Sequence, residues 1–325
     1  MMREKPKILF APMEGIGSCY YRRVHHRLFP EGIWRYYTPF LSVYPNLSFR
    51  KRDLREILGE DEALVSITIP QILAGSADEI IWASGALYEQ GFPEVNINMG
   101  CPSVTVVRKG RGSGLLADAE ALDRLLYRVF EAPGIASGDV KLSVKTRIGI
   151  SDPAEFKAIS SVLSKYPFSE LIIHPRVRDE LYAGTVHADI FRDAAAVSSI
   201  SLVYNGDLMC TGDIDRISEY VPSLEKVMLG RGLLIDPALA REYAGGNALN
   251  AGELKCFMEE LEAEYRQAGT SEQQILCKLK ELWSYWGRSS VIGKGPDTEK
   301  CLHKIRVSHS LGDYRNAVRQ CMAGS

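Results

Sequence analysis

The chain has 325 residues, 46% of them apolar and 25% charged, which excludes disorder and allows a sizeable core. Thirty-nine lysines and arginines face 41 acids, for a net charge of −2, so bulk charge does not mark a nucleic-acid binder, although phosphate contacts need only a local basic patch. Seven cysteines, odd in number and without a C-x-x-C pair, argue against a disulfide framework or metal site and for a reducing cytoplasm, while the absence of a signal peptide or a run of about 18 apolar residues argues against a membrane.

Short β-rich runs alternate with amphipathic segments along the first two thirds of the chain. The runs are Ile8–Ala11, Ile33–Tyr37, Leu64–Ile69, Val95–Asn98, Leu142–Thr146, Leu171–His174, Leu202–Tyr204 and Val227–Leu229. Helical patterns fall between them, as at Ala77–Gln90, Ala119–Glu131 and Pro153–Lys165. Strand–helix alternation predicts βαβ units and a parallel sheet. Eight such units predict a closed (β/α)8 TIM barrel. Met13, Gln71, Asn98, Lys145, His174, Asn205 and Arg231 sit at or just past strand ends, the face where this architecture places active sites.

After Gly245-Gly246 the β-runs stop. Residues 253–268 and 271–287 and a segment near Asp313–Met322 read as helices. The expected division is a catalytic barrel over 1–245 and a small all-helical domain over 246–325. Residues 271–325 carry nine lysines and arginines against five acids, with Trp283, Tyr285, Trp286, His303 and His309 interleaved. Basic groups pair with phosphates and aromatic rings stack on unpaired bases. The same pattern also suits a solvated helix face over a Trp-rich core.

Asn98-Met99-Gly100-Cys101-Pro102 follows the fourth run. A buried cysteine is common, but one on a strand-end loop bounded by glycine and proline is in a placed position. The stretch behind it, Val107–Leu115, is Gly-rich and basic and reads as a flap. Lys145 and Arg147 share one side of the fifth strand by alternation, two cations suited to an anion or an electron-rich ring. His174, Arg176 and Tyr182 follow the sixth. Asn205-Gly206-Asp207 and Gly230-Arg231 end the last two strands, where barrels frequently bind phosphate.

The ordered set APM, Gln71, NMGCP, VKTR, HPR, NGD and GRG resembles the tRNA-dihydrouridine synthase family over roughly residues 8–240. The family commonly carries a Trp after its Y-x-G segment, where this chain has Val186-His187-Ala188-Asp189-Ile190. The resemblance implies FMN as cofactor, NADPH (or NADH) as transient reductant and tRNA as partner. It implies Pro12, Met13, Gln71, Lys145, His174, Asn205, Gly206, Asp207, Gly230 and Arg231 around the flavin. It implies Asn98, Arg147, Arg176 and Tyr182 around the uracil, and Cys101 as the acid. Hydride would pass from flavin N5 to uracil C6 and a proton from Cys101 to C5. Such chemistry needs a cofactor, because no side chain carries hydride. Two alternatives stand beside it: a flavin oxidoreductase of a small molecule, of the dihydroorotate or enoate type, and a non-catalytic RNA-binding barrel. A monomer is the expected oligomeric state.

Overall fold

The computed structural model describes residues 4–57 and 62–323. Two compact units emerge. The first comprises Met1–Pro12, Trp34–Asp207 and Gly212–Leu229; the second comprises Met13–Ile33, Leu208–Thr211 and Gly230–Ser325.

The first unit holds the sheet. Its strands are β1 (Lys7–Phe10), β2 (Ile33–Tyr37), β3 (Leu41–Tyr44), β4 (Ser48–Phe49), β5 (Thr68–Ile69), β6 (Gln71–Leu73), β7 (Glu94–Met99), β8 (Lys141–Arg147), β9 (Leu171–His174), β10 (Leu202–Tyr204) and β11 (Lys226–Leu229). The strand order is β4-β3-β6-β7-β8-β9-β10-β11-β1-β2-β5. β5 and β6 are one strand broken at Pro70, which has no N–H for the ladder. β5 pairs with β2 and β6 with β7. The Gln71 amide donates to the Thr38 hydroxyl at 3.0 Å. Through Pro70, the strands β1, β2, β5–β6, β7, β8, β9, β10 and β11 close an eight-stranded parallel barrel. β7 is buried at all six positions, as expected of a strand covered on both faces.

The expected third strand needs correction. Glu62–Ser66 is helical, and the strand spans only Thr68–Leu73 around Pro70. An apolar run alone does not separate a strand from a buried helical segment. The antiparallel hairpin β3–β4 is an insertion after β2. Helices Ala77–Tyr88 and Ala119–Phe130 start where the side chains of Ser76 and Asp118 accept from first-turn amides.

The start of the barrel is sealed by charge. Arg35 pairs with Glu94 at 2.6 Å and Ser169 donates to the same carboxylate. Glu170 accepts from Tyr37 at 3.2 Å and from Lys226 at 2.5 Å. Burial, with these carboxylates nearby, pushes the Tyr37 phenol well above its usual value.

The second unit gathers helices Cys19–Leu28, Arg231–Ile235, Leu239–Ala244, Ala251–Gln267, Glu272–Trp286, Pro296–Val307 and Leu311–Ala323. Capping boxes start two of them, Asn250 with Glu253 and Ser271 with Gln274. Arg23 and Arg27 pair with Glu264. Tyr21, His25, Phe29, Phe257 and Trp286 form an aromatic core. His25 is fully buried and donates to the Pro237 carbonyl at 2.9 Å; burial pushes its pKa down to about 3, so it is neutral. The segment 296–307, which has few apolar residues, is a helix that the sequence pattern did not reveal.

Candidate active site

Registered neighbours β6, β7 and β8 build the floor. Gln71, Asn96 and Ser143 lie side by side across the three strands. Gln71 Nε2 donates to Asn96 at 2.7 Å, and Asn96 Nδ2 donates to Ser143 at 3.0 Å. One layer up, Asn98 registers with Lys145. Asn98 Nδ2 donates to Gln71 Oε1 at 2.8 Å, while its Oδ1 accepts from the amides of Gly100 (3.1 Å) and Cys101 (2.9 Å). Asn98 therefore caps the loop that carries the cysteine. Such local side-chain to backbone bonds are what fix a turn.

The other side of that loop is held by Ser113. Its amide and its hydroxyl both donate to the Cys101 carbonyl, at 3.1 and 2.9 Å. Gly112 has φ +57°, and a Cβ there would meet the Cys101 carbonyl oxygen at 2.8 Å and its Cβ at 3.0 Å, so only glycine fits. The stretch read as a flap is a helical turn, Val104–Val107, followed by a 3-10 turn, Gly112–Ala117. Arg111 pins it to Glu79 at 2.7 Å, and Glu79 also accepts from the Gly75 amide. Cys101 itself is half-buried.

Lys145 lies beside Cys101 and Arg147. Burial first, then the Arg147 charge, push its pKa down to about 7, against a smaller upward pull from Cys101. Lys145 has no hydrogen-bond or ion-pair partner among the described residues. An unpartnered, half-buried cation next to a second cation suits an anion or an electron-rich edge. Arg147, 2% exposed, gives three of its five N–H groups to backbone, Nε to Gly100 O (3.1 Å), Nη1 to Val177 O (2.9 Å) and Nη2 to Leu181 O (2.7 Å), and also hydrogen-bonds the Tyr182 side chain. Its guanidinium also lies 5.4 Å from the Tyr182 ring centroid. It thus ties the cysteine loop to the loop after β9.

His174 ends β9, 6.0 Å from the Tyr182 ring. Arg176, 3% exposed, grips Asp207 with two bonds, 2.9 and 2.6 Å, and donates Nε to Gly184 O. The Asp207 carboxylate holds Arg176 above its usual value. Asp207 sits at φ +45°, an unusual conformation for a non-glycine residue. The Asn205 side chain donates to Met228 O. Pro12 follows β1 and is half-buried.

The first unit thus brings Gln71, Asn98, Cys101, Lys145 and Arg147 together, and joins Arg147 to Tyr182 and Arg176 to Asp207. Met13, Gly230 and Arg231 belong to the second unit. There Met13 O accepts the amides of Ile16 and Gly17, and Gly230 caps the short helix starting at Arg231. Trp283 and Trp286 are core residues, 4% and 0% exposed, so they do not offer rings to bases. His303 and His309 are exposed. Sequence reasoning missed Ser113, Gly112 and the Glu79–Arg111 pair; the only signal was the glycine spacing behind Cys101. Among the described residues no group of three acids, histidines or cysteines could hold a metal, and no helix is long and apolar enough to cross a membrane.

A family model described as dihydrouridine synthase matches residues 9–293. A tRNA-dihydrouridine(16) synthase of Cupriavidus necator is 28% identical over 74% of this chain and 74% of its own length. A probable tRNA-dihydrouridine synthase 1 of Synechocystis sp. is 26% identical over 87% of this chain and 74% of its own. The solved structure of morphinone reductase in complex with tetrahydroNAD superposes with a TM-score of 0.51 at 11% identity, over 75% of this chain and 88% of that one, and shares the barrel fold.

Proposed function

Because the chain belongs to the dihydrouridine synthase family, we propose that it reduces a uridine of tRNA to 5,6-dihydrouridine in the cytoplasm, as a flavin enzyme that uses FMN and takes its electrons from NADPH or NADH. The carrying observation is the pairing of a loop-held thiol, Cys101, with the unpartnered amine of Lys145 at one end of the barrel strands. The residues fit a flavin on one structural ground: Lys145 is a cation in need of an electron-rich neighbour. FMN, when bound, supplies the hydride that no side chain can carry.

In this reading Lys145 would sit against an electron-rich edge of the flavin, and Gln71, buried with its side-chain amide bonded to Asn96 and Asn98, would support the floor beneath it. Pro12 and Met13 contact the ring through backbone. His174, Asn205, Gly206 and Asp207 hold the ribityl chain, and Gly230 and Arg231 hold the phosphate, where glycine amides and an arginine suit an anion. The 246–325 helices serve as the tRNA-binding domain. Asn98 and Arg147 each keep an N–H beyond the bonds described, enough to donate to a uracil carbonyl. Tyr182, with Arg147 against its ring, flanks the base. Arg176 contributes by fixing the loops through Asp207. Cys101 gives its thiol proton to C5, and solvent returns it; a thiol titrates near enough to neutrality for that transfer. The uridine must leave its stack to reach this depth.

Purified protein is expected to be yellow and to release FMN on denaturation, identified by mass spectrometry. Release of a different flavin would remove FMN. A colourless protein that cannot be reconstituted with flavin would overturn the enzyme reading itself.

A further inference from the structure

The insertion after β2 carries Arg50-Lys51-Arg52-Asp53-Leu54-Arg55, four cations in six residues of a chain whose net charge is negative. The segment is built rather than loose. The buried Asp53 accepts the Ser42 amide at 3.1 Å and pairs with Arg52 at 3.2 Å. The Leu54 amide donates to Arg50 O, and Ile57 is buried. Asp53 thus uses the segment's own acid inward. Arg50, Lys51 and Arg55 are left exposed, with no ion-pair partner among the described residues. Arg50 rests on the Tyr44 ring at 5.0 Å.

A second exposed pair, Arg108 and Lys109, lies in the turn directly behind Cys101, also without an ion-pair partner among the described residues. Both segments abut the same stretch of chain. β3 pairs with β6, and Phe49 contacts Trp82 of helix Ala77–Tyr88 at 4.9 Å. The Arg108–Lys109 turn approaches Gly75, between β6 and that helix; a Cβ there would be 3.4 Å from the carbonyl oxygens of Lys109 and Gly110. The Arg108–Lys109 turn follows the C-terminal end of β7, as Cys101 does, and the Arg50–Arg55 segment reaches the same stretch through the β3–β4 hairpin inserted after β2.

We infer that Arg50, Lys51 and Arg55, with Arg108 and Lys109, form a phosphate-binding rim on the barrel that holds the RNA backbone beside Cys101. This rests on the reading of tRNA as substrate. Unneutralised cations in a fixed constellation repel one another until an anion bridges them. Several spaced phosphates satisfy them together, as a nucleic-acid strand supplies. A membrane partner would need an adjoining apolar face, and by these two segments the exposed large apolar side chains among the described residues are Leu47 and Val104, one beside each.

The test uses the full-length flavoprotein and an unmodified tRNA transcribed in vitro. In the Arg50→Ala, Lys51→Ala, Arg55→Ala triple variant, the salt slope of tRNA binding falls by about two to three, one per lost phosphate contact. KM for tRNA rises about tenfold on the same ground, kcat is retained, and NADPH reduction of the flavin is unchanged. Arg50→Lys with Arg55→Lys keeps the wild-type slope, and Lys51→Ala alone lowers it by about one. Wild-type slope and KM in the triple variant, in an enzyme that does turn over tRNA, would overturn the rim alone. A wild-type protein that neither binds nor reduces the transcript would overturn the substrate reading and the rim with it.

Discussion

Cys101→Ala loses dihydrouridine formation on tRNA while keeping its flavin and its NADPH-driven flavin reduction. Removing a positioned general acid costs roughly 10²- to 10⁴-fold in rate. The loss falls on kcat, because the thiol matters only when C5 must receive a proton. Binding of tRNA changes little, since Cys101 is held by its backbone: its amide goes to Asn98 and its carbonyl to Ser113. Alanine keeps both bonds, so the loop stays in place and only the proton is missing. Cys101→Ser behaves similarly, because a hydroxyl is a far weaker acid than a thiol. Multiple-turnover assays with mass-spectrometric counting of dihydrouridine provide the measurement. Undiminished product from Cys101→Ala would remove the thiol from the mechanism.

The second large effect is on stability, at the opposite end of the strands. Glu170→Ala leaves Lys226 and the Tyr37 hydroxyl without the carboxylate that now receives both. Glu170 is 4% and Lys226 14% exposed in their side chains. Breaking a buried pair from one side costs about 3–5 kcal/mol, because a desolvated charge stays behind. At about 2 °C per kcal/mol for a large domain, the melting midpoint falls by roughly 6–10 °C. The double replacement Glu170→Met with Lys226→Met recovers part of that loss, since the two apolar groups need no partner, while the buried Tyr37 hydroxyl still lacks its acceptor. Thermal melts of the three proteins at one pH decide it. A Glu170→Ala midpoint within about a degree of wild type would show that the pair contributes nothing.

Much of the barrel was legible because strand and helix periods differ. The helix expected over Ala77–Gln90 runs Ala77–Tyr88, and that expected over Ala119–Glu131 runs Ala119–Phe130. Chemistry-bearing residues stood out because strand ends in this architecture are functional positions. Cys101 between glycine and proline was therefore visible in the sequence. What stayed hidden was long-range. Nothing local says that Arg147 spends its N–H groups on carbonyls 30 and more residues away, or that Arg176 answers Asp207 across 31 residues. The Glu79–Arg111 pair spans 32 residues and has no periodic signature. The tail aromatics were ambiguous by nature, since tryptophan at helical spacing suits a core as well as a base platform; Trp283 and Trp286 took the core. The third strand failed because Leu64–Ile69 mixes apolar residues with Ser66 and Thr68 in a run too short to separate strand from helix, and Pro70 moved the pairing residues onward.

The claim on which the rest depends is that reduced flavin in this chain gives its electrons to a uridine in tRNA. It is tested by reducing the purified flavoprotein with NADPH without oxygen, removing excess nicotinamide and adding unmodified tRNA transcript. Reoxidation of the flavin with one dihydrouridine formed per flavin is the expected result. Flavin that stays reduced in the presence of tRNA, but is reoxidised by a small unsaturated carbonyl compound, would contradict it.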